Sequence, residues 1–218
     1  MDERLTRLWA GTEAESIGYG VLDVADNSAF VNVGTDHDTP VFATTSIAAW
    51  WKRMGKERYP DARELFITAD AGGSNAARSR VWKVELQRFA DEAGLTINVS
   101  HFPPGTSKWN KVEHRLFSFI TMNWRGRPLR TYETVINLIS NTTNRAGLVV
   151  RAAIDRRRYP IGRKATEKQM QELNIERHAF RGCGSHADQA AARTDFRSGC
   201  RVSSMAAAQR ALSARARS

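Results

Sequence analysis

Cysteine is almost missing from this chain. Only Cys183 and Cys200 occur among its 218 residues, and neither belongs to a CxxC pair or a Cys/His ligand spacing. A disulfide framework and a zinc site are therefore not expected. Long apolar runs are missing too: none approaches the roughly 20 residues that a membrane-spanning helix needs. The opening segment MDERLTRLWAGTEAES mixes both signs of charge and lacks the basic-then-apolar order of a secretory signal. The expected location is the cytoplasm, with no membrane partner. Acidic residues are outnumbered, 23 against 33 lysines and arginines, which leaves a formal net charge of +10 and a pI near 10.2. Such a balance favours a polyanionic partner, because each phosphate neutralised releases counterions; a ribosome-associated or membrane-surface protein would share it.

The last scarcity is local. After Phe180 there is no lysine and almost no large apolar residue, so residues 181–218 cannot bury enough surface to offset chain entropy. That tail is expected to be disordered, or at most transiently helical near SSMAAAQRALSARARS.

What is present reads as one α/β layered domain. The stretch LFITADAGGSN, residues 65–75, runs an apolar and β-branched segment into Asp70 and then two glycines. It predicts a strand covered on both faces, with Asp70 at its carboxyl end, the edge where open α/β sheets keep their ligands. A helix cap or an Asx turn with Gly72 would equally explain the carboxylate. Upstream, two β-rich runs separated by Asp26, Asn27 and Ser28 predict a hairpin over 19–34. Thr39 and Pro40 open a helix with an Ile47, Trp50, Trp51, Met54 stripe, which Gly55 should stop. A second helix over about 75–93 carries Val81, Trp82, Leu86 and Phe89 at helical spacing, a core stripe, and ends at Gly94. LTINVSHF is a further strand and PPGTSKW a stiffened loop; Asn110 caps a third helix running to about residue 124. Beyond it come the basic WRGRPLR, a helix in TYETVINLISNTT, a strand in GLVVRAAI, the run DRRRYPIGRK, and a short helix opened by a Thr166 to Gln169 capping box. Antiparallel strands first and parallel crossovers afterwards make a mixed sheet flanked by helices.

Glu113 lies in the first turn of the third helix, beside Val112, Leu116 and Ile120. Alone it would complement the helix dipole. Together with Asp70 and the Pro-rich loop it forms a set suited to two-metal chemistry: carboxylate oxygens take Mg²⁺ or Mn²⁺, and two such ions can hold both oxygens of an in-line phosphoryl displacement. The basic surface would then bring DNA to that site.

The blocks GVLDVADNSAFVNVGTDHDT, WWKRMGKERYPDARELFITADAGGSN, SRVWKVELQRFADEAGLTI, HFPPGTSKWNKVEHRLFSFITMNWRGRPL and LNIERHAF resemble consecutive blocks of the Rhodopirellula-type DDE transposases, insertion-sequence enzymes related to the mariner-like group. The resemblance covers about residues 19–180. It implies a ribonuclease-H-like catalytic domain over 18–180, a divalent metal, and cleavage and joining of transposon-end DNA near the nucleoid, with at least a dimer when intact. By position, Asp70 and Glu113 match the family's second and third acidic residues. The first, in a block reading like DTKKKE on a strand in the middle of the sheet, has no match in 1–17, and the family's Trp- and Tyr-containing close is replaced by RGCGSHADQAAARTDF. The expectation is a partial transposase, lacking its first strand, frame-shifted in its tail and inactive. The alternative is a non-catalytic basic DNA-binding module of the same fold; a metal-dependent nuclease is a third reading.

Asp23 could replace the missing acid if GYGVLDV were the first strand; otherwise it is an exposed strand residue, and Asp36, His37 and Asp38 shape the turn into the helix. Lys108, Trp109 and Lys111, beside Asn110, are candidate DNA contacts, as are Arg125, Arg127 and Arg130 and the run 156–158; capping, packing and a solvated basic face are the competing explanations. Ser74 and Asn75 either orient Asp70 or start the helix. His101 and His114 flank the site and read as hydrogen-bonded rather than ligating.

Overall fold

The computed structural model describes residues 16–70, 72–103, 106, 109–127, 129, 131–176 and, as backbone, 203–209. The hairpin forms as its pattern predicts: β1 (Ile17–Asp23) and β2 (Ser28–Gly34) pair antiparallel, Ile17 opposite Gly34 and Asp23 opposite Ser28. Asn27 turns the chain with φ 51, a left-handed conformation that asparagine tolerates. Next, α1 (Pro40–Trp50) starts on Thr39, whose hydroxyl accepts the Phe42 N–H. Gly55 does not stop this helix. The chain continues through a π-helical turn, Trp51–Gly55, into Lys56–Arg58, and Gly55 is there because the Trp50 and Trp51 rings crowd its backbone; a Cβ would lie 2.5 Å from Trp51 Cε3.

β3 (Glu64–Ala69) is followed by a 3-10 turn, Gly73–Asn75, and by α2 (Arg80–Ala93), capped by Ser79 and closed by Gly94 at φ 65. The helix thus begins five residues later than its periodicity predicts, because Ala76 leaves the turn with an extended ψ of 134. β4 (Thr96–His101) pairs parallel with β3 through this crossover. A π-helical turn, Glu113–Phe117, leads into α3 (Ser118–Trp124), followed by α4 (Tyr132–Ser140), β5 (Val149–Asp155) parallel to β2, and α5 (Glu167–Gln171) with its Thr166–Gln169 capping box.

Two aromatic-rich layers sandwich the sheet. On one face Tyr19, Val21, Phe30, Leu65 and Ile67 pack under α1 and α2 through Phe42, Ile47, Trp50, Trp82 and Phe89. On the other, Leu22, Ala29, Val31 and Val33 pack under α3 and α4 through Val112, Leu116, Phe117, Ile120 and Trp124. β3 is not covered equally on its two faces as the sequence suggests: Leu65, Ile67 and Ala69 are fully buried while Glu64, Phe66 and Thr68 are half-buried, because α3 sits over β1 and β2 and not over β3.

The sheet order is β4-β3-β6-β1-β2-β5. Its sixth strand, β6 (Ser203–Gln209), comes from the tail, so the expectation of disorder or helix there is corrected at these residues; the rest of 181–218 lies outside the described residues. β6 runs antiparallel to β1 and parallel to β3, with Ala206 opposite Leu22 on one side and Thr68 on the other. The middle position, where a missing first strand was expected, is therefore filled. The reason is backbone chemistry: β1 and β3 each present a row of N–H and C=O groups that must be paired if buried, and any extended segment can pair them.

Candidate functional site

Asp70 ends β3 as the sequence predicts, and it is neither a helix cap nor solvent-exposed. Its Oδ1 is buried without a hydrogen-bond partner, and burial raises its pKa, partly opposed by the Asn75 amide beside it. Asn75 is 0% exposed, and neither atom of its amide reaches hydrogen-bond geometry with another protein atom. Ser74, the preceding residue of the same 3-10 turn, engages Asp38 instead. Neither residue starts the helix.

Asp38 is the residue that sequence reasoning missed. By sequence it shapes the turn into α1 along with Asp36 and His37. Asp36 does have that role, pairing with His37 Nδ1 at 2.5 Å and accepting the Tyr159 N–H. Asp38 points elsewhere. Its Oδ1 is buried without a partner; burial, with the charge of Asp70 adding, raises its pKa to about 6 against the pull of the Ser74 hydroxyl. A third group closes the cluster: Tyr19, fully buried with an unpartnered hydroxyl, has its pKa driven far up by burial and then by the charges of Asp70 and Asp38. The only sequence signal was an acid directly before an N-cap, which the helix dipole already explains.

Glu113 approaches from the other face. Its π-helical turn rests on β1 at Gly20, where an added Cβ would lie 2.8 Å from Phe117 Cζ and 3.1 Å from Leu116 Cδ2. Through β6, Thr68 is level with Leu22, so continuing the antiparallel register by two residues brings Asp70 level with Gly20, two strand spacings or about 10 Å away. Glu113 itself is half-buried. Among the described residues no group of three or more His, Cys, Asp or Glu side chains is gathered as a metal site.

Asp23 is not a substitute acid and is not exposed. At 2% exposure, its Oδ1 accepts the N–H groups of Ala25 and Asp26, and its register with Ile67 through Met205 puts it three residues, about 10 Å, along the sheet from the level of Asp70. His101 donates its Nε2–H to the Asn75 carbonyl at 2.8 Å, and burial lowers its pKa. His114 is exposed. Asn110 caps its helix through Val112 N–H. Trp109 is 52% exposed, and Lys111, Arg125, Arg127 and Arg156, Arg157 and Arg158 are exposed; Lys108 and Arg130 lie outside the described residues. No helix among the described residues is long and apolar enough to cross a membrane.

The family model of the Rhodopirellula transposase DDE domain matches residues 7–185. The chain belongs to that family. The match extends beyond the 19–180 blocks at both ends. No curated protein and no solved structure matches the chain. A DDE domain implies a divalent metal, and the donors around Asp70 fit one: the orphaned oxygens of Asp38 and Asp70 are hard, anionic and buried, the type that Mg²⁺ or Mn²⁺ takes.

Proposed function

We propose that the chain is the catalytic-domain polypeptide of an insertion-sequence transposase, acting in the cytoplasm on transposon-end DNA, and that alone it binds DNA without cutting it. The observation that carries the reading is Asp70: a half-buried carboxylate with a buried, unpaired oxygen at the carboxyl end of β3, inside a chain of the DDE transposase family. The mixed sheet, with an antiparallel hairpin beside parallel strands, supports a ribonuclease-H-like fold.

When bound, Mg²⁺ would supply the Lewis acidity and the nucleophile activation that phosphoryl transfer on DNA uses. The protein's own contributions are positional. Asp70 offers an oxygen at the sheet edge with the Asn75 amide beside it, and Glu113 sits on a helical turn fixed by the Gly20 contact. Trp109, Lys111, Arg125 and Arg127, exposed on the segment around α3, are suited to the DNA backbone, and Lys108 and Arg130 are assigned there by sequence alone. Two in-line oxygens call for two ions, and among the described residues no group of three or more acids gathers at Asp70 to hold them, which is why binding without turnover is the expected behaviour. In the intact family member, end pairing implies at least a dimer.

The test is a gel-shift and nicking assay on transposon-end DNA with Mg²⁺ or Mn²⁺ across a salt series. The expected result is salt-sensitive binding, with a shallower slope when Lys111, Arg125 and Arg127 become alanine, and no nicked product. Metal-dependent nicking would overturn the inactivity, joining of a 3′ end would establish a complete transposase, and failure to bind DNA at low salt would sink the whole reading.

A further inference from the structure

We propose that Asp38 is a ligand partner of Asp70, the two carboxylates together holding one divalent cation at the junction of β3, the 3-10 turn and the start of α1. This deepens the transposase reading and rests on it only for the use to which the ion is put.

The two carboxyls come from segments 32 residues apart and are held by one short turn. Ser74 engages Asp38, and Asn75, the next residue, faces Asp70. The same short turn therefore lies beside both acids. Each acid keeps one oxygen, Oδ1, buried and without a hydrogen-bond partner. An orphaned buried carboxylate oxygen is costly, and at Asp38 the charge of Asp70 adds like-charge repulsion. Hydrogen bonds to the surrounding protein would have relieved that cost, and the donors are near at hand: the Tyr19 hydroxyl, 0% exposed, feels both charges, and the Asn75 amide, also 0% exposed, lies beside Asp70. Neither hydroxyl nor amide is in hydrogen-bond geometry with a protein atom. Five side-chain atoms of these four neighbouring residues, left unpaired by the protein, are the donor set of an ion with its bound water. A hard dication satisfies the carboxylate oxygens directly and orders water for the tyrosine and the amide.

The alternative occupant of such a pair is a shared proton, and the two are separable. The full chain and its Asp38→Asn, Asp70→Asn and Asp61→Asn variants would be titrated with Mn²⁺, free ion being read by electron paramagnetic resonance, and melted with and without Mn²⁺. Asp61 is an exposed turn residue away from the cluster and serves as control. The expected result is one Mn²⁺ bound by wild type and by Asp61→Asn. In Asp38→Asn and Asp70→Asn the affinity falls at least as far as the roughly 10–100-fold that loss of an outer-shell partner costs, and the Mn²⁺-induced rise in melting temperature shrinks with it. Without metal, Asp38→Asn should melt no lower than wild type, which separates lost binding from lost folding. Wild-type Mn²⁺ affinity in Asp38→Asn overturns the inference while leaving the transposase reading intact. So does a wild type that binds no Mn²⁺ at millimolar concentration, the outcome a shared proton gives. Failure of the same wild-type protein to bind DNA defeats the transposase reading and leaves the Mn²⁺ result standing.

Discussion

Replacing Gly20 with alanine tests how the helix that carries Glu113 is seated. Gly20 is in the middle of β1, under the π-helical turn 113–117, and its φ lies outside the left-handed region, so alanine meets no backbone strain. The new methyl would meet Phe117 Cζ at 2.8 Å, Cε2 at 2.9 Å and Leu116 Cδ2 at 3.1 Å. Those atoms are far ends of side chains, but Phe117 is 3% exposed and Leu116 0%, both inside a closed cluster with Val112, Ile120 and Trp124. Overpacking of this kind costs about 1–3 kcal/mol. Against it, alanine narrows the unfolded ensemble and returns about 0.4–1 kcal/mol. The net loss is about 1–2 kcal/mol, or about 2–8 °C in melting temperature for a chain of this length. Gly72→Ala is the matched control, since nothing lies within 4 Å of its Cβ position. Thermal melts followed by circular dichroism would compare the two. Adding Phe117→Leu to Gly20→Ala should recover part of the loss as a favourable coupling. If Gly20→Ala melts at or above Gly72→Ala, or the double variant shows no coupling, the seating of this turn on β1 has been misjudged.

Asp38 should make metal-free stability pH-dependent. Its folded pKa of about 6 lies above the ordinary 3.8, so its penalty is absent below about pH 3.8 and grows to about 3 kcal/mol as pH rises through 6; urea melts of Asp38→Asn should lack that decline. Asp155 has the opposite sign. Burial alone would raise its pKa, but Arg157, Tyr159 and Asn32 hydrogen-bond it at 2.6–3.2 Å and hold it at about 2, so its stabilisation is present above the ordinary carboxylate range and lost as pH falls towards 2. Asp155→Asn should cost about 2–3 kcal/mol in urea melts at pH 7 and much less at pH 2, and an equal loss at both pH values would refute the assignment. Ala206→Pro removes a donor from a strand paired on both sides; it should lower the melting temperature by several degrees and, by freeing the β1 and β3 edges, produce oligomers in size-exclusion chromatography. An unchanged, monodisperse variant would show that β6 does not close the sheet.

The contrast between what was legible and what was not follows the range of the interactions. The hairpin, the Thr39 cap, the Gly94 stop and the Thr166–Gln169 box are each decided within a few residues, and composition exposes them. Gly55 misled because its local signal, a glycine after an apolar stripe, is the same whether glycine ends a helix or lets two indoles approach a backbone. Asp70 was legible because a carboxylate after a buried strand has few local uses. Asp38 was hidden because it has an obvious one: an acid before an N-cap needs no further explanation, and its engagement by Ser74 joins residues far apart in sequence. The strand at 203–209 was hidden for another reason. Its Ala- and Ser-rich sequence has low strand propensity, and what places it in the sheet is the unpaired backbone of β1 and β3, a demand that belongs to its neighbours. A segment recruited for its backbone leaves no side-chain signature. The same reasoning bears on the site: residues level with Asp70 and Gly20 are aligned by that central strand, so whatever loosens β6 should also weaken cation binding by Asp38 and Asp70, with neither acid altered.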